Sequence, residues 1–150
     1  MSPSPAVSPL LDDQICFALY NASRALTARY RPLLDPLGLT YPQYLALLVL
    51  WEEGPSTVLH LGERLMLDSG TLSPLVRRLE GAGLVTRMRL PEDERSVLIT
   101  LTEAGDRLRE RTAGIQSQIC GATGLDLPDL HALRDQIADV SAHVRETAQP

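Results

Sequence analysis

Between Ser56 and Leu101 the sequence switches from a period near 3.6 to a period of 2, and that switch leaves few folds open. Ser56-Thr57 caps a short helix over Val58 to Leu65, and Met66-Leu67-Asp68 makes a turn. Asp68 or Ser69 caps the next helix, which reaches Gly81 or Gly83 with Leu72, Leu75, Val76 and Leu79 on its inner face. Pro74 interrupts the hydrogen-bond ladder upstream, so the start of that helix is fixed only to within several residues. Leu84 to Leu90 then alternates, with Arg87 and Arg89 on one face and Thr86, Met88 and Leu90 on the other. A polar tip, residues 91–95, leads to Val97, Ile99 and Leu101, which alternate again. Two short helices across a tight turn, followed by a hairpin, predict a winged helix-turn-helix, mainly α with a small β wing.

The flanks read as helices. Leu11, Ile15, Leu19, Ala22 and Leu26 recur at helical spacing from Leu10 to Leu34, where Pro32 and Pro36 end the pattern. Thr40, with Pro42 in the first turn, caps a helix through Tyr44, Leu47, Leu48 and Trp51 that stops at Gly54-Pro55. Its apolar residues occupy nearly every side, which predicts burial. Thr102 with Glu103 starts a long helix carrying Leu108, Ile115 and Ile119, broken by Gly121 and Gly124. Asp126 or Pro128 opens the last helix, where Leu130, Leu133, Ile137, Val140 and Val144 alternate three and four apart. Such a seam needs a facing surface, on the same chain or on a second copy. Residues 1–9 are Ser/Pro-rich and read as a disordered arm, leaving residues 10–150 as one domain.

Composition narrows the functions. Apolar residues form 44% of the chain, and the longest apolar run, Leu45 to Trp51, is far short of a bilayer span. The first residues have no basic and no apolar signal region, so a cytoplasmic protein without membrane contact is expected. The two cysteines, Cys16 and Cys120, form no CxxC pair. His60, His131 and His143 lack metal-ligand spacing, so neither metal nor cofactor is expected. The net charge of −5 argues against nucleic acid, yet residues 64–95 hold Arg64, Arg77, Arg78, Arg87, Arg89 and Arg95. Every Lys/Arg position is Arg, a side chain suited to phosphate and groove contacts.

The stretch Leu67 to Val85 resembles the recognition helix and following strand of MarR-type transcriptional regulators. Pro91-Glu92-Asp93-Glu94-Arg95-Ser96 resembles their wing tip, and Leu101-Thr102-Glu103-Ala104-Gly105 their entry into the fifth helix. The resemblance covers about residues 10–145. It implies a homodimer on inverted-repeat operator DNA, with a DNA-binding lobe at about 40–101 and a dimer body of N- and C-terminal helices, about 10–35 and 102–147. Two-fold symmetry places the recognition helices about 34 Å apart, on successive major grooves. Ser69, Thr71 and Ser73 are then placed to meet bases or phosphates, and Arg77 and Arg78 phosphates or guanines. The resemblance implies that Arg95 enters a minor groove and that Asp93 braces it. Composition alone reads these arginines as a solvated surface.

Within that family the sequence resembles the organic hydroperoxide resistance regulators of the two-cysteine type. Cys16 early in the first helix, with Tyr20, Tyr30 and Tyr41, carries this likeness. The resemblance makes Cys16 the peroxide-reactive thiol, the three tyrosines its supports, and Cys120 a resolving thiol on the other subunit. Tyr20 shares a helix face with Cys16, whereas Tyr30 lies about 21 Å further along a continuous helix. Tyr30 therefore reaches a Cys16 only across an antiparallel dimer contact. By residue type alone, each cysteine is a small buried apolar group and each tyrosine a core residue. Two rival functions remain: a MarR-type repressor released by a phenolic or other anionic ligand, with inert cysteines, and a thiol peroxidase. An enzyme is not expected, because it leaves the helix-turn-helix and wing without a purpose.

Overall fold

The computed structural model describes residues 8–148, apart from the side chain of Glu94. Most of the expected N-terminal arm, residues 1–7, lies outside the described residues, and Ser8 and Pro9 belong to no helix or strand. The chain forms two compact units, one of residues 30–113 and one of residues 8–29 with 114–148.

The first unit begins with the end of helix α1, Ile15–Leu34. Helix α2, Tyr41–Glu53, starts at a full capping box: the Thr40 side chain accepts from the Gln43 N–H, and the Gln43 side chain accepts from the Thr40 N–H. Tyr44, Ala46, Leu47, Val49 and Leu50 are all buried, as an apolar surface on nearly every side requires. Strand β1, Ser56–Thr57, leads into α3, Val58–Leu65. Helix α4, Ser69–Gly81, follows after a tight turn. The turn closes because Gly62 has no Cβ, which would stand 2.8 Å from the Leu67 carbonyl oxygen. Met66 takes a left-handed conformation there, with φ 56°.

Strands β2, Val85–Leu90, and β3, Asp93–Leu101, form the hairpin. The antiparallel sheet has the order β1-β3-β2, with Val85 facing Leu101 and Ser56 facing Ile99. The hairpin turns at residues 91–92, so Asp93 and Arg95 stand on β3 instead of in a five-residue tip. Helix α5, Glu103–Arg111, completes this unit. Leu47, Leu61, Leu72 and Ile99 are wholly inaccessible and form its core.

In the second unit, residues 15–29 of α1 are joined by α6, Ile115–Ala122, and α7, Leu127–Thr147. Two boundaries differ from the sequence reading. The first helix starts at Ile15, after a 3-10 turn at Leu11–Asp13, and runs through Pro32 to Leu34. A proline so near a helix end removes one backbone bond without ending the helix. The expected long helix after Thr102 is two helices, because Gly114 takes φ 88° between α5 and α6. Helix α4 is capped by Asp68, one of the two caps read from the sequence, and starts at Ser69 with Pro74 inside it.

Candidate nucleic-acid interface and thiol site

Helix α4 has a buried face and a free face. Leu72, Leu75, Val76 and Leu79 are buried, while Ser69, Thr71, Arg77 and Arg78 are exposed and Ser73 is half-buried. The Asp68 side chain caps the helix by accepting the Thr71 N–H at 2.7 Å. That backbone bond, and then the Thr71 hydroxyl, hold the Asp68 carboxyl below its ordinary pKa. Thr71 thus also takes part in the cap, and of the three hydroxyl residues Ser69 and Thr71 are exposed while Ser73 is half-buried. Arg77 and Arg78 form no ion pair among the described residues.

The other arginines divide by their partners. Arg64 is bound to Glu53 at 2.6 Å and to Glu52 at 3.1 Å. His60 contacts the same Glu53 carboxylate at 2.5 Å. These bonds, His60's first and Arg64's next, hold the Glu53 carboxyl below its ordinary pKa. Arg64 thus joins the end of α2 to α3 and is less available to an outside anion than its place in the arginine-rich segment suggested. Arg87 on β2 pairs with Glu80 on α4 at 3.2 Å, tying the wing to the last turn of that helix. In the sequence these are opposite charges seven residues apart, a signal of this lock only once the strand is known to return beside the helix.

At the hairpin end, Arg95 is exposed. Asp93 accepts the Arg95 backbone N–H at 3.0 Å and the Ser96 hydroxyl at 3.0 Å. The brace expected at Asp93 thus acts on the backbone that carries Arg95.

The sulfur site starts at the other end of the chain. Cys16 is the second residue of α1, exposed and unbridged. It stands in the first turn, where backbone N–H groups lack helical acceptors. Tyr20, one turn later, is also exposed, and the Arg24 guanidinium lies 5.4 Å from its ring centre. Tyr30 is buried in the first unit, with its ring centre 4.6 Å from that of half-buried Tyr41. Burial, and then the neighbouring Tyr44, raise the Tyr41 phenol above its ordinary pKa, so it stays protonated and able to donate. The structure thus brings Tyr30 and Tyr41 together, whereas Cys16 belongs to the other unit. Cys120, in the last turn of α6, is half-buried and also a free thiol.

A cleft in the lobe is lined by Gly54, Pro55, Thr100, Leu101, Thr102, Glu103 and Asp106. It presents two carboxylates and no cation. Among the described residues, no helix is by itself long and apolar enough to cross a membrane.

Comparison with known proteins gives the same outline. The MarR family model matches residues 39–97. The chain is 52% identical over 127 residues to the organic hydroperoxide resistance transcriptional regulator of Bacillus subtilis, spanning 85% of this chain and 86% of that protein. Among solved structures it is similar to reduced AbfR bound to DNA, with TM-score 0.77, 36% identity, and coverage of 89% of this chain and 94% of the other. AbfR comes from Staphylococcus epidermidis. The disulfide form of AbfR is less similar, with TM-score 0.65, 37% identity, and coverage of 87% and 91%.

Proposed function

Because the chain belongs to the MarR family, we propose that it is a cytoplasmic, homodimeric repressor that leaves its operator when organic hydroperoxide oxidises Cys16. The observation that carries this reading is the exposed free thiol of Cys16 in the first turn of α1, in a chain so similar to a hydroperoxide resistance regulator. The relative's name supplies the oxidant class; AbfR, recorded on DNA both reduced and overoxidised and separately as a disulfide form, supports a DNA binder on this fold that takes up several oxidation states.

On operator DNA, α4 lies in the major groove. Ser69, Thr71, Ser73, Arg77 and Arg78 face bases and phosphates, and Arg95, its backbone set by Asp93, reaches the minor groove. The repressor acts by occupancy and performs no turnover.

The thiolate is the reactive form. Its sulfur attacks the O–O bond of the hydroperoxide; the sulfenic acid forms and the alkoxide leaves, taking a proton to become the alcohol. Tyr20 of one chain, with Tyr30 and Tyr41 of a second copy, donate hydroxyl bonds to the anionic sulfur. The Cys120 thiol of the second copy then displaces water from the sulfenic acid to give an intersubunit disulfide. That bond needs Cα atoms within about 7 Å, so its closure repositions the dimer body.

A non-reducing gel tests this chemistry, using one equivalent of cumene hydroperoxide on wild type, Cys16→Ser and Cys120→Ser. The proposal expects a covalent dimer that requires both cysteines. Both thiols remaining free by mass after treatment would remove the peroxide reading.

A further inference from the structure

An aromatic series runs from the tyrosine pair toward the base of the wing, all of it inside the unit of residues 30–113. Tyr30 meets Tyr41 with ring centres 4.6 Å apart, and meets Tyr44 at 5.9 Å. Tyr44 is wholly buried and meets the edge of Trp51 at 6.3 Å, with the ring planes 65° apart. The Trp51 indole N–H then donates to the Gly105 carbonyl oxygen at 3.0 Å, across 54 residues of sequence.

Gly105 is no ordinary acceptor. A Cβ on it would stand 2.1 Å from the Leu84 carbonyl oxygen, so α5 presses directly on the backbone that enters β2. The same Leu84 oxygen accepts the Thr102 N–H at 3.0 Å, while the Leu84 N–H donates to the Leu79 oxygen of α4 at 3.0 Å. The Thr102 hydroxyl bridges the two sides, donating to the Gly83 oxygen at 2.6 Å and accepting the Gly105 N–H at 3.1 Å. Any shift of the Gly105 carbonyl is therefore felt both at the end of α4 and at the start of the wing. Interiors are close-packed, so such a series moves between discrete arrangements instead of absorbing a displacement.

We propose that Trp51 is the positioning residue through which the state of the tyrosine site reaches the DNA-contacting elements. Its ring senses the placement of Tyr44, and through it of Tyr30 and Tyr41. Its N–H fixes the Gly105 carbonyl, and with it the Leu84 junction. This role rests on the reading of Cys16 as the sensor, since the tyrosines must change when that thiol is oxidised. Allosteric action of this kind is a ratio of affinities between two states, commonly between about 5-fold and 150-fold.

Trp51 is the one tryptophan in the sequence, which makes the test selective. Trp51→Phe keeps an aromatic ring and removes the N–H donor. Benzothienylalanine at position 51 removes only the N–H and serves where the phenylalanine variant folds poorly. For each protein, three quantities are measured: the rate of Cys16 oxidation by cumene hydroperoxide, the affinity of the reduced form for a duplex selected from a randomised pool, and the affinity of the oxidised form. The expected result is an unchanged oxidation rate, reduced-state affinity within about threefold of wild type, and a release ratio at least about tenfold smaller. A purely structural role lowers thermal stability but leaves the release ratio intact, and that outcome overturns the proposal. Wild-type protein that oxidises yet stays on DNA defeats the sensor reading itself, and the role of Trp51 with it.

Discussion

The two units of this chain differ in whether one copy can finish its own core. In the unit of residues 30–113, Leu47, Leu61, Leu72 and Ile99 are wholly sealed within a single copy. In the other unit, α7 has 21 residues and buries none of them. Along it Leu133 is 44% exposed, Ile137 37%, Val140 49% and Val144 57%, and these side chains recur at helical spacing. Contiguous apolar surface of this kind marks an interaction site. The contrast teaches that residues 30–113 close a core within one copy, whereas the terminal helices leave apolar surface open to a second copy. A thiol placed among those helices, as Cys16 and Cys120 are, then acts on the part of the molecule that only dimerisation completes.

The largest expected effect comes from emptying the sealed core. Leu72→Ala is expected to destabilise the lobe by about 3 kcal/mol, read by chemical denaturation, and by the same amount at every protein concentration. A shift that grows on dilution would break the distinction between the units. Next in size is the opposite experiment. Ile137→Asp combined with Val140→Asp is expected to raise the dimer dissociation constant by about 100-fold in sedimentation, with the lobe still folded. Loss of the lobe's cooperative unfolding in that variant would show that the units are not independent.

Smaller effects sharpen the account of the lobe. Arg95→Ala is expected to weaken operator binding by about tenfold, within the range for a lost groove contact, and to leave denaturation unchanged. The Asp68 carboxylate has a folded pKa below its unfolded value. Its stabilising effect is therefore fully present above the unfolded pKa and is lost as pH falls through the folded one. Asp68→Asn keeps a cap that does not titrate, so the difference in thermal stability between the two proteins is expected to shrink in acid. A difference constant from neutral pH to pH 3 would contradict the bond at Thr71.

Much of this was legible in the sequence because the signals were local. The buried face of α4 and the Thr40 and Thr102 caps each follow from spacing within about ten residues, whereas the alternation read in β2 marked a strand but no buried face, since residues 86–89 are all exposed. Strand β1 was not legible, since two residues carry no period and Ser56-Thr57 also reads as a helix cap. The break at Gly114 was hidden because Ile115 and Ile119 continue the apolar spacing of Leu108 across it. At the site, residue types suggested Arg77, Arg78 and Arg95, but not which arginines are already paired. Arg64 and Arg87 find their acids across separate elements, and only the fold brings those together. The Trp51 bond to Gly105 is invisible for the same reason.

The most direct test of the whole account is operator binding before and after oxidation, followed by fluorescence anisotropy on a duplex that the reduced protein selects. One equivalent of cumene hydroperoxide is expected to release the wild type and to leave Cys16→Ser bound. Release of Cys16→Ser to the same extent would contradict the account and return the chain to a regulator governed by something other than its thiols.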